Sequence, residues 1–190
     1  MYYVRMTNDE KMFSPEKSVL LVIDVQEKLT PLMQEKDTLL KNIQILIQGA
    51  QGLDIPILWS EHVPEKIGAT VEPIRRWMPT QKPIVKTSFG CCGEGSFTKA
   101  LASLYRKQII VTGIETHVCV YQTVAQLLDS SYKVQVVSDA VSSRAASSKD
   151  IGLKKMQSLG AAITSTEMIL FELLKTAEHS QFRNILDLVR

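Results

Sequence analysis

The chain has 190 residues, of which 45% are hydrophobic, and its formal net charge at neutral pH is +2. This length and composition predict a single globular domain over residues 1–190. Because the charge is nearly balanced and Lys and Arg are scattered, we expect no nucleic acid as a partner. No apolar run is long enough to cross a bilayer, so we expect no membrane as a partner either.

The N-terminal segment and the cysteines bear on the compartment. The first 17 residues lack the apolar core of a secretory signal, and their acidic residues are atypical of a transit peptide. The three cysteines include an adjacent pair, Cys91 and Cys92, and do not make a disulfide framework. We therefore expect a cytoplasmic protein, with a mitochondrial location left open.

Short apolar runs alternate with amphipathic stretches along the chain. The runs predict six β-strands, at residues 18–23, 55–59, 83–86, 109–111, 133–138 and 161–164. The amphipathic stretches predict helices, at residues 39–50, 97–104, 118–128, 149–159, 168–174 and 182–189. Ser96 is the expected N-cap of the second helix, and Ser147 or Ser148 that of the fourth. Residues 61–82 are expected to form a polar loop.

The alternation of strands and helices predicts the fold class. Strand–helix–strand units connect by right-handed crossovers, which place helices on both faces of a parallel sheet. The pattern therefore predicts a three-layer α/β/α fold with a six-stranded, mostly parallel, doubly wound sheet. In such sheets, ligands bind beyond the carboxyl ends of the strands, where the strand order reverses.

Three reactive side chains come at predicted strand ends. Asp24 follows the first strand, Lys86 lies at the third and Cys119 comes just beyond the fourth. Each alone has a structural explanation: Asp24 as a helix cap, Lys86 as a solvated surface residue and Cys119 as a core filler. An acid, a base and a thiol at one sheet edge are less expected by chance, which favours a functional site.

Residues 108–128 form the most informative stretch, because they predict a strand, a tight turn and a helix with Cys119 in its first turn. Unpaired N–H groups and the helix dipole stabilise a thiolate at that end. We therefore expect a lowered pKa for Cys119 and a nucleophilic role, with the same N–H groups able to hold an oxyanion. The alternative is that Cys119 is a small buried hydrophobic residue.

Three motifs in this order resemble the isochorismatase-like cysteine hydrolases. They are LLVIDVQ around Asp24, PIVKTSF around Lys86 and VTGIETHVCV around Cys119. The resemblance implies the isochorismatase-like hydrolase fold, with a core at about residues 18–175.

Two further motifs are similar to a subgroup, the isochorismatase domain-containing proteins. These are SDAVSSR at residues 138–144 and ITSTEMILFELL at residues 163–174. With them, the resemblance extends over residues 18–174, which is nearly the whole chain. It also implies a homo-oligomer, in which residues 168–174 either contact another subunit or complete the core.

The resemblance implies a catalytic triad of Asp24, Lys86 and Cys119. Asp24 is then the general base that takes the thiol proton and later protonates the leaving nitrogen, while Lys86 maintains the charge state of the site. Cys119 attacks an amide or similar carbonyl carbon. In the family, a cis peptide bond precedes the cysteine; by position it is the Ile114–Glu115 bond, with the N–H groups of Glu115 and Cys119 as oxyanion donors.

The residues after the second strand depart from the nicotinamidases of this superfamily. Those enzymes carry an Asp-x-His metal motif, where this chain has Glu61 and Val63. We therefore interpret His62 as an ordinary loop residue and expect no metal and no other cofactor. Isochorismate is not favoured as a substrate either, because Arg75 and Arg76 in this loop are better explained as a surface pair.

Other side chains near the motifs are candidates for the pocket. Gln26 is expected either to orient the site or to contact the start of a helix, and Phe89 to form a pocket wall. His117 lies two residues before Cys119, and positions two apart on a helix face different directions, which argues against a Cys–His dyad.

The loop after Lys86 and the end of the fifth strand provide weaker candidates for site residues. Residues 90–95 are glycine-rich but lack the phosphate-binding pattern. Cys91 and Cys92 are expected to shape the pocket mouth, although their role stays open. Asp139 is expected to be a structural cap rather than a member of the site.

Two functions of different classes follow. The first is a metal-independent cysteine hydrolase of a small amide, carbamoyl or related small-molecule substrate. The second is a non-catalytic or regulatory oligomeric binding protein that keeps the fold. The complete set of Asp24, Lys86 and Cys119 favours the hydrolase. A ribonuclease has little support in the charge pattern.

Overall fold

A six-stranded sheet lies at the centre of the computed structural model, which describes residues 12–190. Most of the N-terminal segment considered above, residues 1–11, lies outside the described residues. The strands in chain order are β1 (Ser18–Ile23), β2 (Ile57–His62), β3 (Ile84–Lys86), β4 (Gln108–Ile114), β5 (Lys133–Ser142) and β6 (Ala162–Thr164). Their order in the sheet is β3-β2-β1-β4-β5-β6, and all neighbouring pairs are parallel.

Helices follow the strands and cover the sheet. They are α1 (Lys36–Gly52), α2 (Pro64–Ile67), α3 (Glu72–Arg75), α4 (Gly95–Ser103), α5 (Tyr121–Asp129), α6 (Ala146–Ser158), α7 (Thr166–Leu174) and α8 (Phe182–Val189). A π-helical turn, Thr116–Val120, precedes α5 without a break. The predicted doubly wound α/β/α class is confirmed, and the sheet is parallel throughout.

The core has two halves, one on each face of the sheet. Successive strand residues point to opposite faces, so Leu20 and Val22 of β1 join one half, whereas Val19, Leu21 and Ile23 join the other. Apolar residues of α1, α7 and α8 complete the first half, and those of α4, α5 and α6 complete the second. Because all six residues of β1 are buried, the strand is an apolar run without polar alternation.

The strand order reverses between β1 and β4. The chain winds outwards from β1 through β2 to β3, then returns to pair β4 on the other side of β1. This is the position where a doubly wound sheet leaves a crevice at the carboxyl ends of its strands. The residues that follow β1 and β4 therefore meet at one place.

Several element boundaries differ from the predictions. The expected loop at residues 61–82 instead contains the end of β2 and the short helices α2 and α3. The fifth strand runs to Ser142, because it pairs with β4 again after a register shift between Val111 and Gly113. Helix α4 starts before Ser96, with Glu94 as its N-cap residue, and α6 starts before Ser147, after an extended Ala145.

Asp139 acts as a structural cap, as predicted. Its carboxylate accepts hydrogen bonds from the backbone N–H and the hydroxyl of Thr166, at 2.8 and 2.9 Å. Ser165 caps the same helix by accepting a hydrogen bond from the backbone N–H of Met168. Among residues 12–190, no helix has the length and apolar character needed to cross a membrane.

Candidate active site

Asp24 directly follows β1, and its side chain is fully buried. Its backbone is left-handed, with φ of 51°, which Asp adopts more readily than most residues. One carboxylate oxygen accepts a hydrogen bond from the Ser60 hydroxyl at 2.7 Å, and the other accepts one from the Lys86 ammonium at 2.6 Å. Both oxygens have a donor, which suits an ionised carboxylate in a dry environment.

Lys86 ends β3 and is only 1% exposed. Its ammonium group donates to Asp24 Oδ2 and to the backbone carbonyls of Ser88 and Phe89, at 3.1 and 2.9 Å. An ammonium has three protons to donate, so each of them has an acceptor. The buried charge is therefore fully compensated, and the surface role considered for Lys86 is wrong.

Cys119 lies in the π-helical turn, and not in the first turn of an α-helix as predicted. The residue is 6% exposed, and its carbonyl accepts a hydrogen bond from the Thr123 hydroxyl at 2.7 Å. Within the turn, the Val120 N–H donates to the Glu115 carbonyl, which is the wider i to i+5 spacing. Such π-helical segments occur frequently at functional sites.

The pKa of the Cys119 thiol is raised, where the sequence predicted a lowered value. Burial is the largest cause, and Asp24 raises the pKa further through its negative charge and a side-chain hydrogen bond. The positive charge of Lys86 acts in the opposite direction but does not outweigh them. The prediction was wrong because burial removes water from the thiol. This destabilises the thiolate more than the N–H groups of the turn stabilise it. Cys119 therefore needs a base beside it.

The turn between β4 and Cys119 is held from one side. The Ile114–Glu115 peptide bond is cis. The Glu115 carboxylate accepts hydrogen bonds from the backbone N–H and the Nε of Arg144, both at 3.1 Å. His117 pairs through Nδ1 with the Ser143 hydroxyl at 3.0 Å. Residues 143 and 144 thus hold the turn at two of its residues, Glu115 and His117, and the hydrogen-bond partner of His117 is Ser143.

Two glycines allow close packing around this turn. Gly113 has φ of +111°, and a Cβ there would overlap the backbone of Ile23 in β1. Gly152 of α6 lies against the turn, where a Cβ would approach the backbone of Thr116 and His117 to 3.2 Å. A side chain at either position would displace the segment that carries Cys119.

Gln26 orients a loop and does not line an open pocket. It is fully buried, and its amide nitrogen donates to the backbone carbonyls of His62 and Gly68, at 3.0 and 2.6 Å. Its side-chain oxygen accepts a hydrogen bond from the His62 N–H at 2.8 Å. The side chain therefore ties the end of β2 to the segment after α2.

Phe89 and His62 lie beside Lys86. The Phe89 ring is 52% exposed and lies 5.3 Å from the His62 ring, centroid to centroid. His62 is the cross-strand partner of Lys86, so it ends β2 rather than lying in a loop. Burial first, and then the charge of Lys86, lower the pKa of His62. Of the two residues, Phe89 is exposed and His62 is partly buried.

Sequence reasoning missed Ser60, and it placed Cys91 wrongly. Ser60 lies in β2 and is buried against Asp24. A strand ending at residue 62 instead of residue 59 would have placed it at the same sheet edge. Cys91 is fully buried with its sulfur 3.6 Å from Ser60 Oγ, so it does not shape the pocket mouth. Cys92 is half-buried, and burial raises the pKa of its thiol to about 12.

The residues considered for metal and for isochorismate have other partners. Glu61 is buried and accepts a hydrogen bond from the Thr70 N–H at 2.7 Å. Arg75 and Arg76 are exposed, as expected of a surface pair, and Arg76 lies over the Trp77 ring. In the described part of the chain, no three His, Cys, Asp or Glu side chains are grouped as metal ligands would be.

Fold and site together define a class of α/β/α proteins with a thiol, a carboxylate and an ammonium at the switch point of a parallel sheet. The family model described as the isochorismatase domain matches residues 18–168. Isochorismatase family protein 1A of Dictyostelium discoideum is 35% identical over 180 residues, which cover 92% of this chain and 87% of that protein. The chain belongs to the isochorismatase family.

Solved structures agree with this assignment. A Caenorhabditis elegans protein described as MAR1 ribonuclease has a TM-score of 0.88 and 32% identity, covering 94% of this chain and 92% of that chain. The YcaC gene product of Escherichia coli, described as an octameric hydrolase of unknown specificity, has a TM-score of 0.84 and 20% identity. That match covers 98% of this chain and 97% of the other and shows the shared fold.

Proposed function

We propose that the protein is a metal-independent cysteine hydrolase of a small amide, carbamoyl or related compound, with Cys119 as nucleophile and Asp24 and Lys86 as partners. The observation that carries the proposal is the buried Asp24–Lys86 pair, which lies close enough to Cys119 for both charges to act on the pKa of its thiol. A thiol with a raised pKa is a poor nucleophile alone, and an adjacent base corrects this. Membership of the isochorismatase family supports hydrolysis as the reaction class.

The first half-reaction forms a thioester. The Cys119 proton moves to Asp24 as Sγ attacks the carbonyl carbon, and the carbonyl oxygen becomes an oxyanion. Backbone N–H groups of Glu115 and Cys119 are the proposed donors to that oxyanion. The intermediate collapses as Asp24 returns the proton to the leaving nitrogen, which departs as an amine or ammonia.

The second half-reaction releases the acid. Asp24, again a carboxylate, takes a proton from water, and the resulting hydroxide adds to the thioester carbon. Collapse breaks the carbon–sulfur bond, and the proton returns to Sγ. Lys86 stays charged throughout, because all three of its protons are donated in the resting site. Its charge stabilises whichever of Asp24 and Cys119 is the anion.

A screen of purified protein tests the proposal. The panel contains small amides, carbamoyl compounds, nicotinamide and isochorismate, with a chelator in half of the wells. We expect turnover that survives chelation and falls about a thousandfold or more in Cys119→Ala. The matched control is Cys92→Ala, which removes a half-buried thiol away from the triad. Turnover that Cys119→Ala retains, or that the chelator abolishes, would contradict the proposal.

Hydrolysis of RNA is a second candidate, favoured by the similarity to the C. elegans protein described as a ribonuclease. RNA therefore belongs in the same panel. RNA cleavage that requires Cys119, with affinity that falls steeply as salt rises, would favour this candidate over amide hydrolysis. A binding or regulatory role would instead give no turnover with any compound and specific association with a partner.

We also propose that the protein is a homo-oligomer, as supported by the octameric description of the YcaC neighbour. Sedimentation velocity at micromolar concentration is expected to show a mass that is a multiple of the 21.3 kDa chain. A monomer under those conditions would contradict this part of the proposal.

A further inference from the structure

Ser60 contacts the candidate base through both its backbone and its side chain. It pairs with Ile23 in the β1–β2 register, and its carbonyl accepts a hydrogen bond from the Asp24 N–H at 3.2 Å. Its hydroxyl donates to Asp24 Oδ1 at 2.7 Å, and the residue is 1% exposed. An ionised carboxylate can only accept, so the single hydroxyl proton of Ser60 is directed to Asp24.

Cys91 lies on the other side of the same hydroxyl. Its sulfur is 3.6 Å from Ser60 Oγ, and the residue is fully buried. Since the Ser60 proton is already used, the Cys91 S–H must be the donor between these two groups. Burial and the charge of Asp24 raise the pKa of Cys91, which keeps that proton in place. The hydrogen bonds therefore run in one direction, with Cys91 donating to Ser60 and Ser60 donating to Asp24.

The chain of contacts leads back to the nucleophile. The Cys91 N–H donates to the Thr123 hydroxyl at 2.9 Å, and that hydroxyl donates to the Cys119 carbonyl at 2.7 Å. A continuous hydrogen-bonded path therefore runs from the backbone of Cys119 through Thr123, Cys91 and Ser60 to the Asp24 carboxylate. The path connects the candidate nucleophile to the candidate base through hydrogen bonds and the Cys91 residue.

We propose that Ser60 is a positioning residue for Asp24, with Cys91 as the donor that sets the direction of its hydroxyl. The proposal rests on the proposed hydrolase function and assigns the residue that holds its base. Ser60 and Lys86 each bind one carboxylate oxygen. The carboxylate plane is then fixed, and the thiol proton is transferred to a base that needs no reorientation.

The pH dependence of the Cys119 reaction tests the positioning role of Ser60. The titratable groups that act around Asp24 are Lys86 of β3, Cys119 of the π-helical turn, Cys91 of the turn at residues 91–93 and His62 of β2. Replacing Ser60 by Ala removes none of these groups, although the Cys91 thiol loses its acceptor. A carboxylate that loses a hydrogen-bond donor binds a proton more readily, so the site should lose its base at a higher pH.

The test measures alkylation of Cys119 by iodoacetamide across a pH series, read by peptide mass spectrometry. This readout needs no knowledge of the substrate. In Ser60→Ala, the acid-side midpoint of the rate should move up by about one pH unit, and Ser60→Thr, which keeps the hydroxyl, should restore it. Cys91→Ala should move the midpoint in the same direction by less, and Cys91→Ser should restore it.

The outcomes separate this proposal from the proposed function. If Cys119 is alkylated and the Ser60→Ala profile coincides with that of the wild type, Ser60 only fills space and the positioning role is wrong. If wild-type Cys119 is not alkylated at any pH, the hydrolase proposal itself is contradicted. Thermal unfolding checks that each variant folds. If Ser60→Ala fails to fold, the comparison of Cys91→Ala with Cys91→Ser tests the proposal instead. Alkylation profiles of these two variants that coincide with each other would overturn it.

Discussion

Lys86 and Asp24 form an ion pair that water does not reach, with side chains 1% and 0% exposed. Taking both charges out of water is costly, and the attraction between them compensates only when the remaining protons and lone pairs also have partners. The carbonyls of Ser88 and Phe89 and the hydroxyl of Ser60 supply those partners. At the residue scale, the site is therefore a charge pair maintained by its neighbours.

Breaking this pair should cost stability as well as activity. Lys86→Met leaves the Asp24 carboxylate buried without its ammonium partner, so we expect a loss of about 3–5 kcal/mol in the free energy of unfolding. Urea denaturation measures this loss. The matched control is Lys82→Met, where the side chain is exposed and the change should stay within about 0.5 kcal/mol. Equal stabilities of the two variants would mean that the pair is not formed.

The raised pKa of Cys119 gives a pH prediction. Its thiol holds its proton at neutral pH, and in the proposed mechanism Asp24 removes that proton. Asp24→Asn removes the proposed base together with the part of the raised pKa that Asp24 causes, while burial, the largest cause, still keeps the pKa of the thiol high. Alkylation of Cys119 should therefore fall at least about tenfold near neutral pH and recover only at higher pH, where hydroxide removes the proton. A pH–rate profile like that of the wild type would contradict Asp24 as the base.

Packing between helices and strands determines the position of Cys119 more than local helix propensity does. Strand β4 approaches the backbone of β1 at Gly113, and α6 packs on the turn at Gly152. The end of β5 leads to Ser143 and Arg144, which bind His117 and Glu115. The turn that carries Cys119 is thus held by β1, by α6 and by the residues that follow β5. None of these directly precedes or follows the turn in the chain.

Gly113 tests the contact between strands. An Ala there would require a left-handed φ of +111° and would overlap the Ile23 backbone, so we expect a loss of about 3 kcal/mol or more in unfolding free energy. Gly95→Ala is the control, because Gly95 starts α4 with open space around it. Chemical denaturation of both variants gives the comparison. A Gly113→Ala protein as stable as wild type would show that β4 does not lie against β1 as described.

Arg144 tests the support of the cis turn. Its side chain is 61% exposed, so Arg144→Ala should leave thermal stability almost unchanged. Loss of the Nε hydrogen bond to the Glu115 carboxylate, with the backbone N–H bond retained, should nevertheless loosen the turn and lower kcat about tenfold, with little change in KM. Arg183→Ala, another exposed arginine, is the control. Equal kcat values for both variants would remove Arg144 from the support of the site.

For the whole molecule, the order β3-β2-β1-β4-β5-β6 explains why residues 24, 86 and 119 meet. Asp24 and Cys119 follow the two strands that flank the reversal of strand order, and Lys86 comes in from the edge strand β3. Strand β2 lies between β3 and β1, and the Lys86 side chain is long enough to reach across it to Asp24. Ser60 of β2 binds the other carboxylate oxygen. A doubly wound sheet therefore gathers residues from distant parts of the chain without a dedicated loop.

The sequence allowed the strands, the layer order and the three reactive positions to be predicted, because apolar runs and strand ends are local signals. It did not reveal the environment of those positions. The pKa of Cys119 depends on burial and on Asp24, which is 95 residues away in the chain. Ser60 and Cys91 were missed as partners because their roles arise only when β2 and the turn at residues 91–93 pack together. Helices α2 and α3 have four residues each, which is too short for a helical pattern of apolar residues to be recognised in the sequence.

The most direct test of the account is the covalent intermediate. Purified protein is quenched with acid during turnover of the best substrate from the panel, and the mass of the intact chain and of its peptides is measured. The thioester mechanism predicts an added acyl group on Cys119 that is absent from Cys119→Ala. Steady turnover with no adduct on Cys119, and with the Cys119→Ala protein still active, would contradict it.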